Sequence, residues 1–249
     1  MAGLERIAVW VLALILSALG VARLFMPDEE IEPVFLPAQT ESVASTQSGA
    51  LPERVPGTSL QIQALMQYEG PYWEDGTGEH VSNVAALMLY NPSGNGISYG
   101  QVFLTLEGQA YVFEFTYLPA GGRLLVPEKN RMPYVRGKVT DCRSGQMVTG
   151  NFGAEKNGIC LTPKGMSGIV VENQTDRTLD NVQLYYKLYL NDEGVYVGGT
   201  TYQMAVGSIP AGSKQEITPN HFVWDYSAVV DIQTGEPRVL TNSPTNGNL

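Results

Sequence analysis

Residues 84–106 read VAALMLYNPSGNGISYGQVFLTL, two apolar, β-rich runs (Val84–Tyr90 and Gly100–Leu106) around a cluster of Pro, Ser, Gly and Asn. Runs of this length bounded by turn residues read as strands. Working outward, 110–117, 123–126 and 135–141 read the same way, and no segment around them carries a long 3.6-residue period. Many short strands with Gly- and Pro-rich turns predict antiparallel sheets in a sandwich or barrel.

The same stretch recurs farther along. Asn91 and Ile97 match Asn173 and Leu179, and Gln101, Val102, Leu104 and Leu106 fall on Gln183, Leu184, Tyr186 and Leu188, all at a spacing of 82 residues (173 − 91). Leu118-Pro119-Ala120-Gly121 matches Ile209-Pro210-Ala211-Gly212 at a spacing of 91, and Pro127 and Tyr134 match Pro219 and Tyr226 at 92. Turn chemistry and pleat period fix where a strand starts and which way it faces, so both recurring in order predicts two related units. The expected fold is all-β: two tandem immunoglobulin-like β-sandwich domains at 59–145 and 146–238 behind an N-terminal helix. A single larger sandwich is the alternative.

The second copy, Gly168-Ile169-Val170-Val171-Glu172-Asn173-Gln174-Thr175 followed by Val182-Gln183-Leu184-Tyr185-Tyr186-Lys187-Leu188-Tyr189, resembles the FxLYD-like sandwich modules of bacterial surfaces. Tyr186-Lys187-Leu188-Tyr189 fits their hallmark, although Leu190 stands where the family has Asp, and the first copy reads Leu104-Thr105-Leu106-Glu107. The resemblance implies a bacterial envelope protein and brings no catalytic residues with it.

Residues 7–22 carry no charge, and Leu24, Phe25 and Met26 extend the run past Arg23, close to the roughly 20 residues a helix needs to cross a bilayer. Residues 1–26 are therefore expected to be a transmembrane signal anchor. Arg6 precedes the run, whereas Asp28, Glu29, Glu30 and Glu32 follow it, which predicts a cytoplasmic N-terminus and an extracytoplasmic remainder. A cleaved secretory signal is the alternative, since Ala18-Leu19-Gly20 and Gly20-Val21-Ala22 supply small residues for cleavage. Residues 27–58, with five prolines and no period, read as a disordered spacer, and 239–249 as a flexible tail.

A net charge of −10 excludes nucleic acid as a partner, because binding a polyanion needs clustered Lys and Arg. Cys142 and Cys160 lack the spacing of a zinc or dithiol motif; in an oxidising compartment they are expected to form a disulfide, a cross-link of roughly 3 kcal/mol. No cofactor or metal is expected.

Catalytic patterns are sparse. Gly96-Ile97-Ser98-Tyr99-Gly100 has the form of a hydrolase elbow, but a strand rather than a helix is expected to follow it, so it reads as a turn. His80 and His221 lie far apart. Glu69, Glu74, Asp75 and Glu79 could offer oxygen ligands or a carboxylate pair, without the register of a calcium loop. Asn173-Gln174-Thr175, a glycosylation sequon in form, reads as a turn. Tyr68, Tyr72 and Trp73 are the candidate binding residues: exposed, they would stack on a sugar or anchor a protein; buried, they would close one end of a sandwich. The expected function is that of a non-enzymatic, membrane-anchored interaction or scaffold protein of the bacterial envelope, its partner an envelope protein or glycan. The alternative is an envelope-polymer hydrolase or a carbohydrate-binding module.

Overall fold

Alternation decides the first strands. In β3 (Gly96–Leu106), Val102, Leu104 and Leu106 turn inward at 1% exposure or less while the residues between them stay partly exposed, and β4 (Gln109–Leu118) buries Tyr111, Phe113 and Phe115 in the same way. β2 (Glu79–Tyr90) does not alternate. Its run 84–89 is apolar throughout because both faces are covered: Ala85, Leu87 and Leu89 enter one core, and Val84 and Ala86 another.

The computed structural model describes residues 51–154 and 158–235; the predicted anchor, most of the predicted spacer and the predicted tail lie outside them. The first half is completed by β1 (Gln61–Tyr72), β5 (Arg123–Pro127) and β6 (Val139–Gly150). The second half contains β7 (Ile159–Lys164), β8 (Gly168–Asn173), β9 (Leu179–Leu190), β10 (Val195–Ile209), β11 (Lys214–Ile217) and β12 (Ser227–Gln233). Among the described residues every regular element is a strand, and the strands form open sheets rather than a closed barrel.

The two halves repeat one another. In the first, the group β1-β2-β5 lies over the sheet β4-β3-β6; in the second, β7-β8-β11 lies over β10-β9-β12, with equivalent strands in equivalent places. Asn91 and Asn173, both fully buried, hold equivalent corners. Asn91 donates from Nδ2 to Asn95 O (2.9 Å) and Pro119 O (3.1 Å) and accepts from Ser93 N and Oγ; Asn173 donates to Arg177 O (2.8 Å) and Pro210 O (3.1 Å) and accepts from Thr175 N and Oγ1.

One pairing joins the halves. β5 runs parallel to β10 (Arg123–Val195, Leu124–Tyr196, Leu125–Val197), which fuses β1-β2-β5 and β10-β9-β12 into a six-stranded sheet. Leu124 and Tyr196 face the core under β4-β3-β6, whereas Leu125 and Val195 face the other way. Val197, paired with Leu188, shares that second face with Tyr186 and Leu184, which contact the β7-β8-β11 side. The two small sheets therefore cover opposite faces of the shared sheet.

Three expectations change. β1 was not among the predicted strands; register shifts between Ile62 and Ala64 and between Tyr68 and Gly70 break its alternation. β6 starts at Val139 rather than Val135, because Pro133 and Tyr134 are still bonded to Val84 and Asn83 of β2 and the chain crosses between layers after them. The predicted disulfide is not formed: Cys142 and Cys160 are free thiols, one on β6 beside Leu104 and the other on β7 beside Glu172, in different sheets.

Candidate functional site

Where β10 leaves β5 and continues along β9, its register shifts between Val197 and Tyr202. This bulge contains Gly198, at φ +85°, and Gly199, which lies so near β4 that a Cβ would fall 2.0 Å from Glu114 O. Thr116 of β4 donates from Oγ1 to Gly199 O (3.1 Å) and meets Thr201 Oγ1 at 2.7 Å.

Two charged side chains grip this bulge from opposite sides. Lys187 of β9, fully buried, donates from Nζ to Thr200 O (2.7 Å), Gly199 O (3.0 Å) and Thr201 Oγ1 (3.2 Å), which uses all three ammonium donors. Glu74, at the tip of the β1–β2 hairpin, accepts from Gly199 N at Oε1 (2.6 Å) and from Thr200 N and Oγ1 at Oε2 (both 3.0 Å). The peptide joining Gly199 to Thr200 is thus held at its N–H end by a carboxylate and at its C=O end by an ammonium. Glu74 is partly exposed as a whole residue, but its carboxylate is the end turned inward. Burial raises that carboxyl above its ordinary value, against the hydrogen bonds from Gly199 and Thr200 and the charge of Lys187. Burial pushes Lys187 down to about 7, with Glu74 opposing.

The predicted binding residues part company here. Tyr68 (2% exposed) donates to Pro71 O, and Tyr72 (1%) to Glu128 O and Lys129 O, so neither ring presents a stacking face. Trp73 stays partly exposed and clips the halves together: Gly78 packs on its six-membered ring and His221 sits 5.2 Å away. His221, at φ +58°, also lies 5.3 Å from Tyr202, whose hydroxyl is buried without a hydrogen bond among the described residues.

The predicted acidic cluster disperses. Arg131 pairs with both Asp75 and Glu79 at the surface, while Glu74 alone turns inward. Ser98 donates to Val148 O within β3 and its partner β6, and Gly96–Gly100 is neither the expected turn nor an elbow but the start of a strand. Asn173 has its amide spent on backbone carbonyls, which closes the sequon to modification.

A second surface crosses the seam. Phe152, lodged on Gly96, meets Tyr117 edge-on at 5.1 Å, and Tyr117 stacks on Tyr185 of β9 at 5.0 Å. Tyr185 donates to Gln183 Oε1 (2.9 Å), which also accepts from Gln203 Nε2 (2.6 Å); Gln233 Nε2 donates to Tyr117 Oη and Asp231 Oδ2, both at 3.0 Å. The three rings, Gln183 and Gln233 are partly exposed, and Gln203 is exposed. Neither Lys187 nor the stacking of Tyr117 on Tyr185 is legible in the sequence, because both depend on β4 and β9 meeting across some 70 residues of chain.

No protein-family model matches the chain, and no curated protein matches it either.

Proposed function

We propose that this chain is a membrane-anchored, extracytoplasmic interaction or scaffold protein of the bacterial envelope, built as two tandem immunoglobulin-like sandwiches. The observation that carries the reading is the sheet shared across β5 and β10 and locked by Glu74 and Lys187. It makes the halves one stiff body, able to hold a binding face in fixed orientation to whatever tethers it. The uncharged run in residues 7–22, its acidic flank and the resemblance to FxLYD-like modules supply the location. The partner class is an envelope protein or glycan.

The test is topological. Protease added to intact spheroplasts of cells expressing the full chain should digest everything after residue 26. Protection until lysis would overturn the extracytoplasmic placement.

A further inference from the structure

The row of rings and glutamines across the seam combines features that internal packing alone does not require. Tyr117, next to last in β4, has φ +46°, a left-handed conformation costly for a bulky residue, and that bend accompanies a ring laid against Tyr185. Gln203 reaches Gln183 across the strands, yet Gln203 Oε1 and Gln183 Nε2 are left without a hydrogen bond among the described residues. One acceptor and one donor therefore face outward beside partly exposed rings. The charge bound into the row, Asp231, is 5% exposed and has both oxygens occupied, by Gly153 N and Gln233 Nε2.

From these observations we infer that the face formed by Tyr117, Tyr185, Phe152, Gln183, Gln203 and Gln233 binds a neutral saccharide. Sugar rings offer apolar C–H faces for aromatic rings and hydroxyls that donate to an amide oxygen or accept from an amide nitrogen. None of the six described residues named here carries a charge, so an ionic ligand gains nothing from them to repay its desolvation, which favours an uncharged one. The inference rests on the interaction-protein reading above and narrows its partner to a glycan.

The test titrates the full-length chain, in a zwitterionic detergent without a sugar headgroup, with cellotetraose, with an N-acetylglucosamine tetramer and with tetragalacturonate as an anionic control. Calorimetry should show saturable binding of at least one neutral tetramer and none of the anion. The double variant Gln183→Ala/Gln203→Ala should weaken that binding about tenfold or more, with an unchanged thermal melt. Tyr117→Gly, which removes the ring and also relieves the strained φ, gives a second reading if the double variant loses stability. No binding of either neutral tetramer, equal binding by both variants, or preference for the anion would overturn the inference. Saccharide binding by a chain whose ectodomain proved cytoplasmic would sink the location alone.

Discussion

Lys187 sits where an alternating strand puts a residue opposite Tyr186, and on a sheet with one wet face it would point into water. What buries it is β4, together with the bulge of β10, so nothing near Tyr186-Lys187-Leu188-Tyr189 in sequence announces the role. Glu74 is equally anonymous among its acidic neighbours. Replacing Lys187 with Met takes the ammonium donor from Thr200 O, leaves Gly199 O to Thr116 alone and removes the charge that opposes the Glu74 carboxylate, and should cost roughly 3–5 kcal/mol in denaturant unfolding, as for other broken buried charge pairs. The pH dependence has a definite sign. Lys187 is held at about 7 when folded and returns to 10.5 when unfolded, so its contribution to stability is present above 10.5 and is lost as pH falls through 7. Glu74, held above its ordinary 4.5, contributes stability below that value and loses it as pH rises through its folded value. Melts of the wild type and Lys187→Met between pH 7 and 10 should therefore show the wild type gaining on the variant as pH rises. A constant gap would mean that Lys187 does not release its proton in the folded chain.

At the scale of elements, β2 and β3 were readable from residues 84–106 because a twice-covered strand and an alternating one leave different local signatures. β1 was not, since its two register shifts turn an edge strand into an aperiodic string. β10 carries the greatest burden: it is parallel to β5 at one end, antiparallel to β9 along most of its length, and pressed against β4 between the two. Gly199→Ala puts a methyl group into the backbone of Glu114, which cannot swing aside as a side chain would. The expected loss is about 1–3 kcal/mol, read from the denaturant midpoint, with the Thr116–Thr201 contact disrupted. An unchanged midpoint would show that β4 yields there easily.

Over the whole molecule, the repeat was legible because equivalent corners use the same Asn and Pro-Ala-Gly turns, whereas the fusion of the halves was not, because three paired residues of β5 and β10 leave no motif. That fusion predicts a single cooperative transition. Far-ultraviolet dichroism and tryptophan fluorescence should give coincident unfolding curves; two separated midpoints would mean that the halves unfold independently. The β5–β10 pairing is also head-to-tail rather than self-complementary, so nothing in its geometry limits it to two units, and a third could in principle add itself to β11 as β10 adds to β5. The chain ends that possibility by a change of residue at matched positions. Where β5 has Leu125, buried against Val195, the place 91 residues on in β11 holds Glu216, exposed and paired with Lys164. A four-residue strand bearing Lys214 and Glu216 is a poor template for another chain, so the parallel pairing that joins the two halves is closed to a third copy at β11.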